Sequence, residues 1–415
     1  MIRLNGYLHR ELLAAIIGRW LVNRPLPTDA RTLKQIVNFN GYAGCVILDA
    51  FAHTLFSAIH AGPIASSAVS TKGALKDALI QSPAGIVTPC AADLIARYRR
   101  NPDDYFRETP FNGRVYRAGD DAGPYLGSAR VKRFHRIAEK TSRYLIDRLL
   151  QEVRTRADAL ADERAARLGT SRDRLDTPID EQRAEFVRAE RRVLESLRDG
   201  VLVGEASDFD VNDVLGVKLV VDGETEMSRV VDHLAGGQRS AIVERQVHAG
   251  NYNATSLIVR YHWPRDLVLD RPPTAPAMTI LRERGCRFDV EAAFRTFIED
   301  AEDDVSIEVI VSTYEEMLES EIGRSMHEEW VLLQRERREY RSSLARNVES
   351  LVDFMFRFCL ARVEDVSEVP IRVWVRYLPD YVEQIRLRLA GVPSEMDFTH
   401  ACACGEQLGK QPDGT

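Results

Sequence analysis

The sequence predicts an α+β fold, a mixed-sheet core with helical regions before it, inserted into it and after it. Three observations carry this. Leu12, Leu13, Ile16, Ile17 and Trp20 recur at helical spacing near the start, as do Leu344, Val348, Leu351, Val352 and Met355 near the end. Residues 214–221, 254–261 and 305–311 are short runs rich in β-branched residues. Residues 154–200 are dominated by Arg, Glu, Asp and Ala, with a break at 176–178, which reads as a charged helical hairpin. At 415 residues the chain exceeds the usual domain of about 100–200 residues. Three regions are expected: a helical one over 1–124, the sheet-bearing one over 125–335 with an insertion at about 142–205, and a helical extension over 336–415.

Taken in order, residues 8–20 and 46–59 are expected to be helices, and the Pro-, Gly- and Asp-rich stretch 102–127 a loop-bearing junction with a boundary near 125. A helix over 130–153 follows, with Ile137, Leu145, Leu149 and Val153 on one side. Residues 226–234 and 290–299 are helices placed between the strands, and the pattern returns to helix after Thr313. The tail from 405 is polar and expected to fray.

Composition narrows the classes. Hydrophobic residues at 45% and charged residues at 29% describe a globular chain rather than a disordered one. With 56 Lys plus Arg against 63 Asp plus Glu, the net charge is −7, so the protein does not coat nucleic acid by charge alone, and any polyanion must meet a local basic patch. Cys45, Cys90, Cys286 and Cys359 are scattered singly, as in a reducing compartment, and a cytoplasmic location is expected. The runs 12–22 and 43–56 are interrupted by Arg19, Asp49 and His53 and read as too short or too polar to span a bilayer, and no signal-peptide cleavage pattern is evident. His400, Cys402 and Cys404 fall short of a tetrahedral metal set.

The most basic stretch is ARVKRFHRIAEKTSRYLIDR. On a helix, Lys132, Arg136 and Lys140 would stand four residues apart on one face, spaced about 6 Å per step and suited to a polyphosphate; a solvated helix face is the alternative. Asp213 stands at the mouth of one predicted strand, and Glu308 lies on another with Ile307, Val309 and Val311 on the opposite face. Two such carboxylates on neighbouring strands could hold one Mg²⁺, while each alone also fits a surface acid. Tyr252, where a loop enters a strand, could stack on a base or be an ordinary half-buried tyrosine.

The order of these pieces resembles the synthetase domain of RelA/SpoT-type (p)ppGpp synthetases. RVKRFHRIAEKT is similar to the family's RVKxxxSIxxKM through Arg130, Lys132, Ile137 and Lys140. DVLGVKLVV is similar to DxxGxRxxV through Asp213 and Gly216. NYNATS keeps the tyrosine of GYRSxH as Tyr252. IEVIVSTYEEMLESEIGRSMHEEW is similar to VEVQIRTxxMHxxAExGxxxHW through Glu308, Thr313, Glu321, Gly323 and His327. The resemblance covers 130–141 and about 205–330, and the expected His-Asp pair of a preceding hydrolase domain is absent from the first 120 residues.

The resemblance implies a nucleotidyltransferase-like core in which Asp213 and Glu308 are the catalytic, Mg²⁺-holding carboxylates, ATP is the pyrophosphate donor and GTP or GDP the acceptor. Lys132 and Lys140 would meet phosphates, Arg130 would lie on the adenine, and Arg136, Lys218 and Tyr252 would complete the nucleotide site. Departures fall on the acceptor side: Lys218 replaces an Arg and loses its planar fork, and Asn253, Ser256 and Ser312 stand where the family has Arg, His and Arg. Two alternatives follow, the same chemistry on another acceptor such as the 3′ end of a tRNA, and a catalytically weak nucleotide-binding regulatory module.

Overall fold

The structure is a computed structural model and describes residues 2–81, 87–202, 209–250, 253–336, 340, 342–366 and 368–392. Its first part comprises β1 (Ile2–Leu4), α1 (Arg10–Leu21), α2 (Asp29–Ile59), β2 (Ile64–Thr71), α3 (Lys72–Gln81), α4 (Pro89–Arg100), β3 (Pro110–Ala118) and β4 (Tyr125–Val131). There follow α5 (Phe134–Arg167), α6 (Ile179–Arg198), β5 (Phe209–Val211), β6 (Leu215–Val220), α7 (Glu224–Gly236), β7 (Ser240–His248) and β8 (Ala254–His262). The rest is α8 (Arg265–Leu269), α9 (Ala275–Glu283), α10 (Val290–Glu299), β9 (Asp304–Ser312), α11 (Tyr314–Ile322), α12 (His327–Glu336), α13 (Ser343–Leu360) and α14 (Pro379–Leu389). The fold is α+β, as the hydrophobic patterning predicts.

One seven-stranded mixed sheet, in the order β2-β3-β4-β6-β9-β8-β7, organises the molecule. Only β6 and β9 run parallel within it; the other neighbours are antiparallel. β1 and β5 form a separate parallel pair. The three β-rich runs of the sequence are β6, β8 and β9, side by side at the centre.

The first 124 residues depart from the expected helical region. They supply β2 and β3 to the sheet, and the junction expected at 102–127 is largely the β3–β4 hairpin, so the expected boundary near 125 falls at the start of β4. The reason is pairing. Small and polar runs such as IASSAVST carry little apolar signal, yet as edge strands they need only backbone hydrogen bonds and one covered face.

Alternation divides the sheet into two faces. Leu215, Val217, Leu219, Leu257, Val259, Ile307 and Val309 are all buried in the main core. α2 packs on this face, with Gly44 close enough that an added Cβ would lie 3.3 Å from Leu215. A Cβ at Gly127 would come within 2.7 Å of the Phe56 ring, so glycine lets that ring seat against β4. α2 is one helix of 31 residues, long and apolar enough by length and composition to cross a membrane, a property that reading 43–56 as an isolated run conceals. Here Ile36, Phe39, Ile47, Phe51 and Phe56 are buried in the core.

Lys34, buried on α2, donates to the carbonyls of Arg284 at 2.6 Å, Ala361 at 2.7 Å and Val363 at 2.7 Å. Its ammonium thereby satisfies backbone acceptors beyond the C-terminal ends of α9 and α13, where positive charge is favoured. The charged hairpin is α5 and α6, the latter burying Ala189, Val193 and Leu197. α13 buries all five residues of its predicted stripe.

Candidate functional site

The opposite face of the central strands is polar. Register places Arg130 of β4 beside Gly216 of β6, Gly216 beside Glu308 of β9, and Glu308 beside Ile258 of β8. Arg130 Nη2 lies 3.9 Å from Glu308 Oε2. A Cβ on Gly216 would stand 3.7 Å from Arg130 Nε and 3.8 Å from Glu308 Oε2, so the glycine leaves the space between the two charges open.

The helix expected over 130–153 begins at Phe134, not Arg130. Arg130 belongs to β4. The Lys132 N–H donates to Val214 O at 2.7 Å, which carries the β4–β6 pairing one step further, and Arg133 is extended before α5 starts. Lys132, Arg136 and Lys140 therefore do not form a row on one helix. The β-branched Val131, bonded opposite Leu215, holds this segment in the sheet.

Strand exit and helix nevertheless converge on one carboxylate. Lys132 Nζ makes a close ion pair with Asp213 Oδ2, and Lys140 Nζ, from the second turn of α5, reaches the same oxygen at 2.8 Å. Burial disfavours the Asp213 carboxylate, but the two ammonium groups outweigh it and hold its pKa well below the usual range. Lys132, although paired to that carboxylate, is pushed down to about 8, because burial dominates and Arg130 and Lys140 add repulsion. Asp213 Oδ1 is buried with no hydrogen-bond partner.

Asp213 and Glu308 line one cleft of about 260 Å³ between α5 and the polar sheet face, together with Lys140 and Tyr144 of α5 and Glu244 and Gln246 of β7. Among the described residues no group of three or more His, Cys, Asp or Glu is arranged for a metal. The donor set fits Mg²⁺: two carboxylates facing one cleft, one with an unpartnered buried oxygen, and room for phosphate oxygens to supply the remaining ligands.

Other expected site residues lie apart. Arg136 is taken by a close ion pair to Glu139, which is also bound by His135 at 3.1 Å and Arg335 at 2.6 Å. Lys218 shares the polar face of β6 with Gly216, but donates to Glu321 at 2.7 Å and Ser320 at 3.0 Å. Tyr252 lies outside the described residues, as do His400, Cys402 and Cys404. Asn253 donates to both carboxylate oxygens of Glu316, from its backbone N at 2.8 Å and its side chain at 2.6 Å.

The long motif running from Glu308 divides by role. Glu308 lines the cleft. Thr313 caps α11 by accepting from Glu316 N–H at 3.4 Å. Gly323 ends α11 where a Cβ would stand 2.6 Å from the Glu319 Cα, and His327 opens α12. Glu321 is the hub of a buried ion network: its second oxygen meets Lys72 at 2.9 Å, Lys72 meets Glu328 at 3.1 Å, and Glu328 meets Lys76 at 3.6 Å. Sequence reasoning missed Lys72, Glu328, Glu244, Gln246 and Tyr144. The alternation of Glu244 and Gln246 on one strand face was the available signal.

No protein-family model and no curated protein matches the chain. Among solved structures, a GTP pyrophosphokinase family protein from Streptococcus pneumoniae aligns with 52% of this chain and 86% of its own, at 13% identity and a TM-score of 0.20. So loose a likeness carries no argument about this chain.

Proposed function

We propose that the cleft transfers pyrophosphate from ATP to the 3′-hydroxyl of a guanosine nucleotide. The observation supporting this is the convergence of Lys132 and Lys140 on Asp213 in a cleft that Glu308 also lines. The hydroxyl oxygen forms a bond to the β-phosphorus, the bond from that phosphorus to the α–β bridging oxygen breaks, and AMP leaves. Glu308 takes the hydroxyl proton. Lys132 and Lys140 neutralise the phosphates, and Arg130 lies against the adenine. Asp213 and Glu308 would hold Mg²⁺, which when bound would supply charge neutralisation at the phosphates.

A second reading keeps the chemistry and changes the acceptor. It is favoured by Asn253, which donates two hydrogen bonds to the Glu316 carboxylate and so leaves an acid where the resemblance places a cation for acceptor phosphate. A 3′ end of tRNA is the acceptor in that case. Purified protein incubated with labelled ATP and GDP, GTP or deacylated tRNA distinguishes the two by where the label moves. Label on none of them removes both and leaves the regulatory module.

A further inference from the structure

Lys132 and Lys140 at the cleft are paired with Asp213, both through Oδ2, and Arg130 stands near Glu308, before anything is bound. A triphosphate arriving alone must draw the two lysines from Asp213. That would strand a carboxylate whose side chain is only 17% exposed and whose other oxygen already has no donor, a costly arrangement for a buried charge. A divalent cation arriving alone finds the unpartnered Oδ1 but must sit beside two ammonium groups already held on Oδ2, whose positive charges repel it.

We propose that Lys132 and Lys140 act as exchangeable counter-ions of Asp213, so that the cleft admits a divalent cation and a polyphosphate together and resists either one alone. The inference rests on the donor reading above and adds an order to it. When both ligands enter, the carboxylates exchange ammonium for metal and the ammonium groups exchange carboxylate for phosphate, so every charge keeps a partner. Lys140, its side chain 33% exposed, is the mobile member. Lys132, 11% exposed and anchored by its backbone bond to Val214, is the fixed one.

The test is equilibrium binding of full-length protein, read by calorimetry for α,β-methylene-ATP with Mg²⁺ or with EDTA, and by electron paramagnetic resonance for Mn²⁺ alone. Wild type binds the analogue about tenfold or more weaker without metal. Asp213→Asn frees the lysines, so its metal-free affinity for the analogue rises about tenfold above wild type, the scale of one charge-assisted hydrogen bond. Lys140→Met does the reverse, tightening Mn²⁺ alone several-fold and weakening the analogue. The second variant keeps the test decisive if the first folds poorly. Equal wild-type affinity with and without Mg²⁺, or an unchanged Mn²⁺ affinity in Lys140→Met, overturns the exchange while leaving the donor reading intact. Absence of analogue binding to wild type in either condition removes the donor reading and the exchange with it.

Discussion

Arg130 and Glu308 face each other across Gly216, the guanidinium 3.9 Å from the carboxylate with only a hydrogen atom's worth of side chain on the strand between them. Three strands thus contribute an acid, a base and an opening to one row. An alanine at 216 makes only ordinary van der Waals contacts with its neighbours at 3.7–3.8 Å. Gly216→Ala is expected to stay within about 0.5 kcal/mol of wild-type stability and to keep binding nucleotide, whereas Gly216→Leu fills the opening and weakens nucleotide affinity about tenfold or more. Urea denaturation and calorimetry read the two effects separately.

Glu308→Gln preserves shape and removes both the proton acceptor and one metal-binding charge. Transfer of label from ATP is expected to fall roughly a hundredfold or more, with an unchanged circular-dichroism spectrum because the side chain is partly exposed. Retained transfer in this variant contradicts the role given to Glu308.

Lys72 stands between two buried carboxylates, Glu321 and Glu328. Lys72→Met leaves each with one lysine, and the loss of a buried partner is expected to cost about 3 kcal/mol in urea denaturation. In a double-mutant cycle with Glu321→Gln, the coupling is expected at about 1–3 kcal/mol. Additivity would mean that the network is not a unit.

His135 joins α5 to α13, lying 3.1 Å from Glu139 and 3.7 Å from Asp353. Hydrogen bonds to Asp353 and Glu139 raise its pKa from 6.5 to about 9. A group bound more tightly when protonated stabilises the fold fully below its unfolded pKa and ceases to do so as pH rises through its folded one. The stability difference between wild type and His135→Gln is therefore expected to be greatest near pH 6 and to vanish by about pH 10. A difference that is constant across this range would assign the residue a packing role alone.

The legible part of the fold was the centre of the sheet. β6, β8 and β9 are dense in Val, Ile and Leu, because one face of each is buried in the main core and much of the other is sheltered from solvent. β7 was not legible, since an edge strand reading SAIVERQVH exposes most of its length; β2, the other edge, hides among small and polar residues for the same reason, and β3, paired on both sides, hides because Pro110, Asn112 and Gly113 break up its apolar pattern. The basic stretch misled in a specific way. Lys132, Arg136 and Lys140 satisfy a helix period, while Arg130 and Lys132 equally satisfy a strand period, and only the long-range pairing of β4 with β6 decides between them. Asp213 and Glu308 could be singled out from the chain because their flanking residues define strands. That Asp213 would already hold two lysines and that Lys218 would be spent on Glu321 depends on partners up to 103 residues away, beyond any local pattern, whereas the Arg136–Glu139 pair is an i,i+3 contact that becomes readable once α5 is known to start at Phe134.

The joining of β3 to β4 has a practical consequence for anyone handling this polypeptide. A shortened gene product starting at Tyr125 would present β4 as a bare margin, its backbone donors and acceptors unmet, and would lack the long α2 that shields the oily side of the sheet. Such a piece is fated to clump in the tube, and whatever chemistry the cleft performs travels only with the strands that precede it.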